Sequence, residues 1–518
     1  AMDQLWNILR YVMYFLMGYL AYIIYLAFLK PFLFWMKYKK YKNVYAYPYF
    51  IPIFGDLWYH VQDMKNDKAH YDHKKYQAAD VNKYDLKVKI DGINCVIQVI
   101  SCKALEQFVA YQPTKIDNIL EHRGITKAVP EGFINAPTTK KTFERRKLFT
   151  SLLNMNKASC MVPLWLDRCK EAFDSIKDGE EVKNFGIKMN NIIFNMFISI
   201  LYGADQMDLV SETRPYTNPD NTVEEVNFCE YLIRTTNSHV LQNFNPCTTL
   251  FPYINRYCLM DPYKRDHKNL MILRAWFVKM VENVTDPNCV CSQVINSQDY
   301  THDEMFEDLI TIVVAGTETT SRTIVSILYY LKKCPDKLAK LRKEMKEHGF
   351  DKNTDWANLN VDRVLGLDYL LCCIKEGLRI DSPVVEVFNY YTYDNIEICG
   401  VPIPKNTFIK PDIYSAHYDM EKWLKPHEYQ PERHDPDSEF AKKALEDGLR
   451  PHTYSRRSFG HGKRACPGQT LAYLKMRVVI TYMLSNVEYE VLDGLTTKEG
   501  VGFGAGSLII PRFKINKF

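Results

Sequence analysis

Apolar positions are unevenly spread along the chain, and the longest run of them comes first. Residues 11–29, YVMYFLMGYLAYIIYLAFL, carry no charge; Lys30 interrupts, and PFLFWM continues. About 20 apolar residues cross a bilayer core as a helix. A signal peptide would show a shorter run and a small-residue cleavage site. Lys37, Lys39, Lys40 and Lys42 follow the run, whereas only Asp3 and Arg10 precede it. The positive-inside rule therefore places the N-terminus in a lumen and the bulk of the chain in the cytosol, with Tyr and Trp at the two interfaces. The next stretch, YPYFIPIFGDL (47–57), predicts a stiff, turned connector through Pro48, Pro52 and Gly55.

A second apolar stretch runs from 301 to 335. Thr301 with Glu304 three residues on is a capping-box start, and Pro335 bars continuation. A helix of about 33 residues is predicted, roughly 50 Å long at 1.5 Å per residue. It reads as apolar on all sides and hence buried, except for a notch at Ala315, Gly316, Thr317, Glu318, Thr319 and Thr320. Small residues there leave room for a neighbour, and a hydroxyl beside a carboxyl can hand it protons. The alternative is a kink or an exposed stretch whose hydroxyls bond back to the backbone.

A third periodic segment, LDYLLCCIKEGLRIDSP (367–383), predicts a helix ending before Pro383. Glu376 and Arg379 lie one turn apart on it. Such a pair is worth only about 0.2–0.5 kcal/mol on an exposed face, but among Leu371, Cys372, Cys373, Ile374 and Leu378 it needs further partners. Arg433 in YQPERH is a candidate third member. Residues 395–410 alternate and turn like a β-hairpin, and 468–484 predicts a last long helix.

Composition changes this picture little. At 518 residues, 47% hydrophobic and 25% charged, the chain is an ordinary globular protein. No linker, repeat or low-complexity tract after residue 60 divides it, so one large domain is expected over 58–518, behind an anchor (1–36) and a Lys- and Pro-rich linker (37–57). A net charge of +4 does not argue for nucleic acid. The 14 cysteines are irregularly spaced, without paired C-x-x-C sets, and read as reduced thiols rather than zinc ligands. The sequon at Asn283 would matter only on a lumenal face.

One decapeptide, FGHGKRACPG (459–468), is not ordinary. A thiolate at Cys466 could bind metal. Pro467 suits the first position of the following helix, whose N–H groups and dipole favour an anion. Gly460, Gly462 and Gly468 would let backbone approach a flat ligand, Arg464 could meet an anionic group on it, and Phe459 could shield the sulfur. A single cysteine suits a metal that arrives with its other ligands in place, which means haem.

The pattern Phe459-x-x-Gly462-x-Arg464-x-Cys466-x-Gly468 resembles the haem-thiolate signature of the cytochrome P450 family. AGTETT (315–320) resembles its oxygen-activation segment, and Glu376-x-x-Arg379 with Arg433 its buried Glu-Arg-Arg cluster. The anchor and hinge resemble those of microsomal members. The resemblance runs from about residue 45 to 518. It implies a mainly α fold with small β-sheets, preceded by one transmembrane helix, and haem b as cofactor. Cys466 would be the proximal ligand, its thiolate favouring O–O cleavage. Thr319 would hydrogen-bond dioxygen, Glu318 would relay protons, and Ala315 and Gly316 would form the dioxygen groove. Glu376, Arg379 and Arg433 would hold the fold.

Departures mark a divergent branch. Lys141 or Thr142 stands where a Trp is usual, leaving Arg145 or Arg146 as the propionate ligand. Asn389 stands where many members carry another propionate arginine, and His434 where an aromatic is usual. The activity implied is monooxygenation of a lipophilic substrate, with a haem-thiolate isomerase or dehydratase and a non-catalytic haem sensor or carrier as alternatives. Too few residues follow Cys466 for a flavin domain. Electrons are expected from NADPH–cytochrome P450 reductase, with cytochrome b5 as a second donor, at the endoplasmic reticulum membrane. Lys140, Lys141, Arg145, Arg146, Lys147, Arg456, Arg457 and Lys463 form the expected docking patch. Segments 110–135 and 200–250, the turn after Pro383 and VGFGAGSLI near the C-terminus are expected to wall the substrate pocket.

Overall fold

A computed structural model describes residues 2–56, 83–91, 93–119, 129–183, 185–203, 206–242, 248, 257–297, 300–384, 390–492 and 512–518. Asn389, VGFGAGSLI and parts of the other expected pocket walls lie outside the described residues.

The N-terminal run is one helical rod in three parts: α1 (Met2–Ile24), a π-helical stretch (Tyr25–Leu29) and α2 (Lys30–Lys39). Pro31 has no N–H for the carbonyl one turn back, and the wider π register falls just before it. From Trp6 to Lys39 the rod is apolar and long enough to cross a membrane, and hardly any of it is buried. Its far end is docked. Tyr38 is fully buried with Val44, Leu86 and Ile90 in a small second core, Trp35 donates to the Tyr47 carbonyl at 2.9 Å and Lys39 to the Pro48 carbonyl at 2.8 Å. The start of the expected linker is thus packed against the domain.

The main body is helical. Its elements include α3 (Cys102–Tyr111), α4 (Lys140–Leu152), α5 (Val162–Asp174), α6 (Phe185–Tyr202), α7 (His302–Lys333), α8 (Asp368–Ile380) and α9 (Gln469–Asn486). Helix α7 begins as the sequence predicts: Thr301 accepts from the Glu304 N–H, and the Glu304 carboxylate accepts from the Thr301 N–H. Most of its residues are buried. It packs against α6, α8 and α9 within one large hydrophobic core. Gly377 makes one of these contacts possible, since a Cβ there would lie 2.4 Å from the Ile327 side chain.

Strands form a minor second layer. Numbered in chain order, β1 (Val44–Tyr45), β2 (Leu86–Asp91), β3 (Asn94–Val99), β4 (Ile116–Asn118), β5 (Glu180–Val182), β6 (Tyr390–Thr392), β7 (Phe408–Pro411), β8 (Val487–Val491) and β9 (Phe513–Lys517) make two sheets, ordered β1-β2-β3-β7-β6-β4 and β8-β9-β5. The expected hairpin is present, as Ile396–Ile398 paired antiparallel with Val401–Ile403. The architecture is mainly α with small sheets, as predicted.

Candidate functional site

A cavity opens between the middle of α7 and the loop before α9. Ala315, Gly316 and Thr319 line one side and Phe459, Arg464, Cys466 and Gly468 the other, with Phe108, Ile134 and Phe133 among the apolar walls. From Glu304 to Ser321 on α7, Ala315, Gly316 and Thr319 are the half-exposed residues, and all three line this cavity.

The cysteine loop is built by backbone. The Cys466 N–H donates to the Phe459 carbonyl at 2.7 Å, which closes the loop. Gly460 and Gly462 sit at φ +67° and +70°, a region side chains rarely adopt. A Cβ on Gly462 would also lie 2.8 Å from Val109 on α3. The helix starts later than expected: Gly468 is its N-cap, so Pro467 lies outside α9 rather than at its first position. The Gly468 N–H still reaches the sulfur. Burial pushes the Cys466 thiol up, while that N–H and Arg146 pull it back toward the thiolate. Phe459 packs on Tyr473 at 5.3 Å between ring centroids, beside the loop it closes.

Structure separates the two arginines that sequence left together. Arg146 lines the cavity and donates to the Ala465 carbonyl. Arg145, one position earlier, is buried on a different face of α4. Its guanidinium holds Asp308 at 2.7 and 2.9 Å and Glu304 at 3.1 Å, and it does not line the cavity. Arg464 spans the cavity edge, donating to the Phe133 and Ala136 carbonyls at 2.9 and 2.7 Å and to Asp117 at 3.0 Å. Its Nε is buried and finds no partner among the described residues.

On α7 the Thr319 hydroxyl donates to the Ala315 carbonyl at 2.8 Å. Glu318 is buried, set back from the cavity, and paired with Arg322 one turn on. Gly316 has a packing reason: a Cβ would lie 2.8 Å from the Phe197 ring. Phe197 itself lines the cavity beside Gly316. Above the same ring stands Lys475 of α9, its Nζ 3.8 Å from the centroid. Lys475 lines the cavity, is buried, and its amine has no hydrogen-bond partner among the described residues. Burial holds that amine well below the usual lysine range. Nothing in its sequence context, an apolar helix of ordinary period, marks it.

The Glu376 cluster is assembled, with more members than expected. Its carboxylate accepts from Arg379 at 2.8 and 3.0 Å, Arg433 at 3.0 Å, the Gln430 N–H at 3.0 Å and His434 at 2.9 Å. The departure at His434 thus adds a fourth side chain. Burial opposes the Glu376 charge, yet the arginines and His434 hold it well below the usual carboxylate range.

The expected docking patch shrinks. Arg457 is buried, donating to the Val99, Ile100, Ser101, Asp412 and Tyr454 carbonyls. It ties the cysteine loop to β3 and cannot face a partner. With Arg145 also buried and Arg146 facing the cavity, the exposed cations are Lys140, Lys141, Lys147, Arg456 and Lys463. Lys141 is engaged with Glu304 at 2.6 Å.

The residues fit a haem. The one cysteine of the loop presents its sulfur to a cavity walled by apolar side chains, two arginines reach its edge, and the Arg464 Nε there is buried with no such partner. No group of three or more metal-ligating side chains occurs among the described residues. Fold and site together suit a class of protein that holds a flat, anionic cofactor beside a single cysteine. Residues 116–512 match the family model for cytochrome P450, and the chain belongs to that family. It is 31% identical over 189 residues to geraniol 8-hydroxylase from Swertia mussotii, covering 36% of each protein. It is 32% identical over 190 residues to lithocholate 6-beta-hydroxylase from Mesocricetus auratus, covering 37% of this chain and 35% of the relative. Its match to cytochrome P450 3A18 from Rattus norvegicus is longer, 26% identical over 377 residues, 69% of this chain and 71% of the relative. The chain thus spans about a third of the length of the first two relatives.

Proposed function

We propose that this protein is a haem-thiolate monooxygenase that hydroxylates or epoxidises a lipophilic substrate. The observation that carries the reading is the pairing, across one apolar cavity, of the Cys466 sulfur with the Ala315–Thr319 notch of α7. Hydroxylase names among the relatives agree with it. When bound, haem b supplies dioxygen activation, with one oxygen atom going to substrate and the other to water. Cys466 holds the iron. Arg146 and Arg464 neutralise the cofactor's carboxylates, and Arg145 is not needed for this. Thr319 turns its hydroxyl from the Ala315 carbonyl into the cavity to hold a proton at Oγ1. Glu318, after leaving Arg322, takes up a proton from solvent and passes it to Thr319. Glu376, Arg379 and Arg433, joined by His434, keep the segment before the cysteine loop in place.

The exposed rod Trp6–Lys39 supports a single-pass anchor in the endoplasmic reticulum membrane, with the catalytic domain in the cytosol. NADPH–cytochrome P450 reductase, with cytochrome b5 as a second donor, would dock on Lys140, Lys147, Arg456 and Lys463. Charge reversal at Arg456 and Lys147 is expected to weaken the salt dependence of reduction. The decisive experiment is the spectrum of the reduced carbon monoxide complex of wild type and Cys466→Ser. A strongly red-shifted Soret band in wild type only is expected; its absence from wild type refutes the reading. Product formation that needs NADPH and reductase separates a monooxygenase from a peroxide isomerase.

A further inference from the structure

The cavity wall at residues 129–136 has no regular secondary structure of its own, yet it is held at almost every peptide. On α7 two successive carboxylates face it. Glu307 accepts the Glu131 N–H, and Asp308 accepts the Phe133 N–H at 2.7 Å. Arg145 donates to the Glu131 carbonyl at 2.8 Å while gripping Asp308, and Arg274 holds the other oxygen of Glu307 at 2.6 Å. From the cofactor side Arg464 takes the Phe133 and Ala136 carbonyls. Asn118 takes the Ile134 carbonyl at 2.7 Å. Gly132 lies so close to α7 that a Cβ would be 2.8 Å from the Thr311 Oγ1. Phe133 and Ile134, the residues so held, project into the cavity, as does Thr311.

The Phe133 peptide is therefore gripped at its N–H by the central helix and at its carbonyl by the arginine that faces the cofactor. We infer that Glu307 and Asp308, backed by Arg145, are specificity-determining positioning residues: they latch the 129–136 wall to α7 and so fix how large a group fits beside the cofactor. The inference rests on the reading of this cavity as a haem and substrate site. Neither carboxylate lines the cavity, so each acts through the wall. The backbone bonds need an acceptor oxygen at 307 and 308, not a charge, and this sets the test.

Asp308→Leu removes the acceptor, Asp308→Asn keeps one, and Gly132→Ala pushes the wall off Thr311 without touching either carboxylate. In the full-length, haem-loaded protein, amide hydrogen exchange at 129–136 is expected to quicken about tenfold or more in Asp308→Leu and Gly132→Ala, and to stay near wild type in Asp308→Asn. The second readout is spectral titration with imidazole and with 4-phenylimidazole. The ratio of their affinities is expected to shift about threefold or more in favour of the bulky probe in the two latch-breaking variants only. If Asp308→Leu does not fold, Gly132→Ala decides alone. Unchanged exchange or an unchanged ratio in Gly132→Ala overturns the latch. A normal Cys466-dependent Soret band in these variants shows that the haem reading stands whichever way the latch falls.

Discussion

Two carboxylates, Glu376 on α8 and Asp308 on α7, are both fully buried and both gripped by arginine, yet they behave differently. Glu376 is held well below the ordinary carboxylate range, whereas Asp308 is pushed up to about 7. Burial raises both. What differs is the number of partners. Glu376 has Arg379, Arg433, His434 and a backbone N–H. Asp308 has one arginine, shared with Glu304, and one N–H, with Tyr300 close by. One cation does not repay the loss of water around a buried anion, but two cations and a histidine do. The first region is a permanent clasp, the second a contact whose charge can change near neutrality.

The largest test of this contrast is Glu376→Ala. It strands two buried arginines, and thermal unfolding should report a loss of about 3–5 kcal/mol, with failure to retain haem. A cost below about 1 kcal/mol would mean that the cluster is not the clasp it looks to be.

A pH series sharpens the comparison. Asp308 binds its proton more tightly folded than unfolded, so its contribution to stability falls as pH rises from about 4 to about 7, by about 1 kcal/mol per pH unit. Glu376, with its folded value lowered, contributes fully above about 4.5 and adds no slope there. Unfolding of wild type against Asp308→Asn from pH 5 to 8 should show the variant gaining relative stability as pH rises. Parallel curves would contradict the assignment.

Lys475 is the extreme case, a buried amine with no carboxylate partner among the described residues. Lys475→Met, which keeps the shape and drops the amine, is expected to stabilise the cofactor-free protein by about 1–2 kcal/mol in thermal unfolding. A loss of stability would show that the amine has a partner in solution. The smallest effect belongs to His434→Phe. It removes one hydrogen bond from Glu376 and leaves both arginines, so about 1 kcal/mol or less is expected. A cost near that of Glu376→Ala would make His434 an equal member of the clasp.

Much of this was readable because it is local. A capping box at Thr301 and Glu304, a Pro335 stop and a glycine-rich cysteine loop are contacts among near neighbours, and each formed where predicted. Other features were not readable because adjacent residues on a helix point about 100° apart. Arg145 and Arg146 carry the same side chain in the same context, and only the packing of α4 against α7 sends one to Asp308 and the other to the cavity. Arg457 looked like its exposed neighbour Arg456 until β3 supplied carbonyls for it. Gly316 reads as a cavity residue, and only the fold adds that Phe197 packs against it.

By itself the sequence determined the three helices carrying the motifs, the membrane-length apolar rod, the cysteine loop and hence the family, because propensity, capping and motif spacing act over a few residues. Tertiary structure alone decided which arginine lines the cavity, which cations stay exposed, and that Glu307 and Asp308 hold the cavity wall. Those outcomes depend on which distant segment arrives to supply the missing hydrogen-bond partner, and that is not written at any one position of the chain.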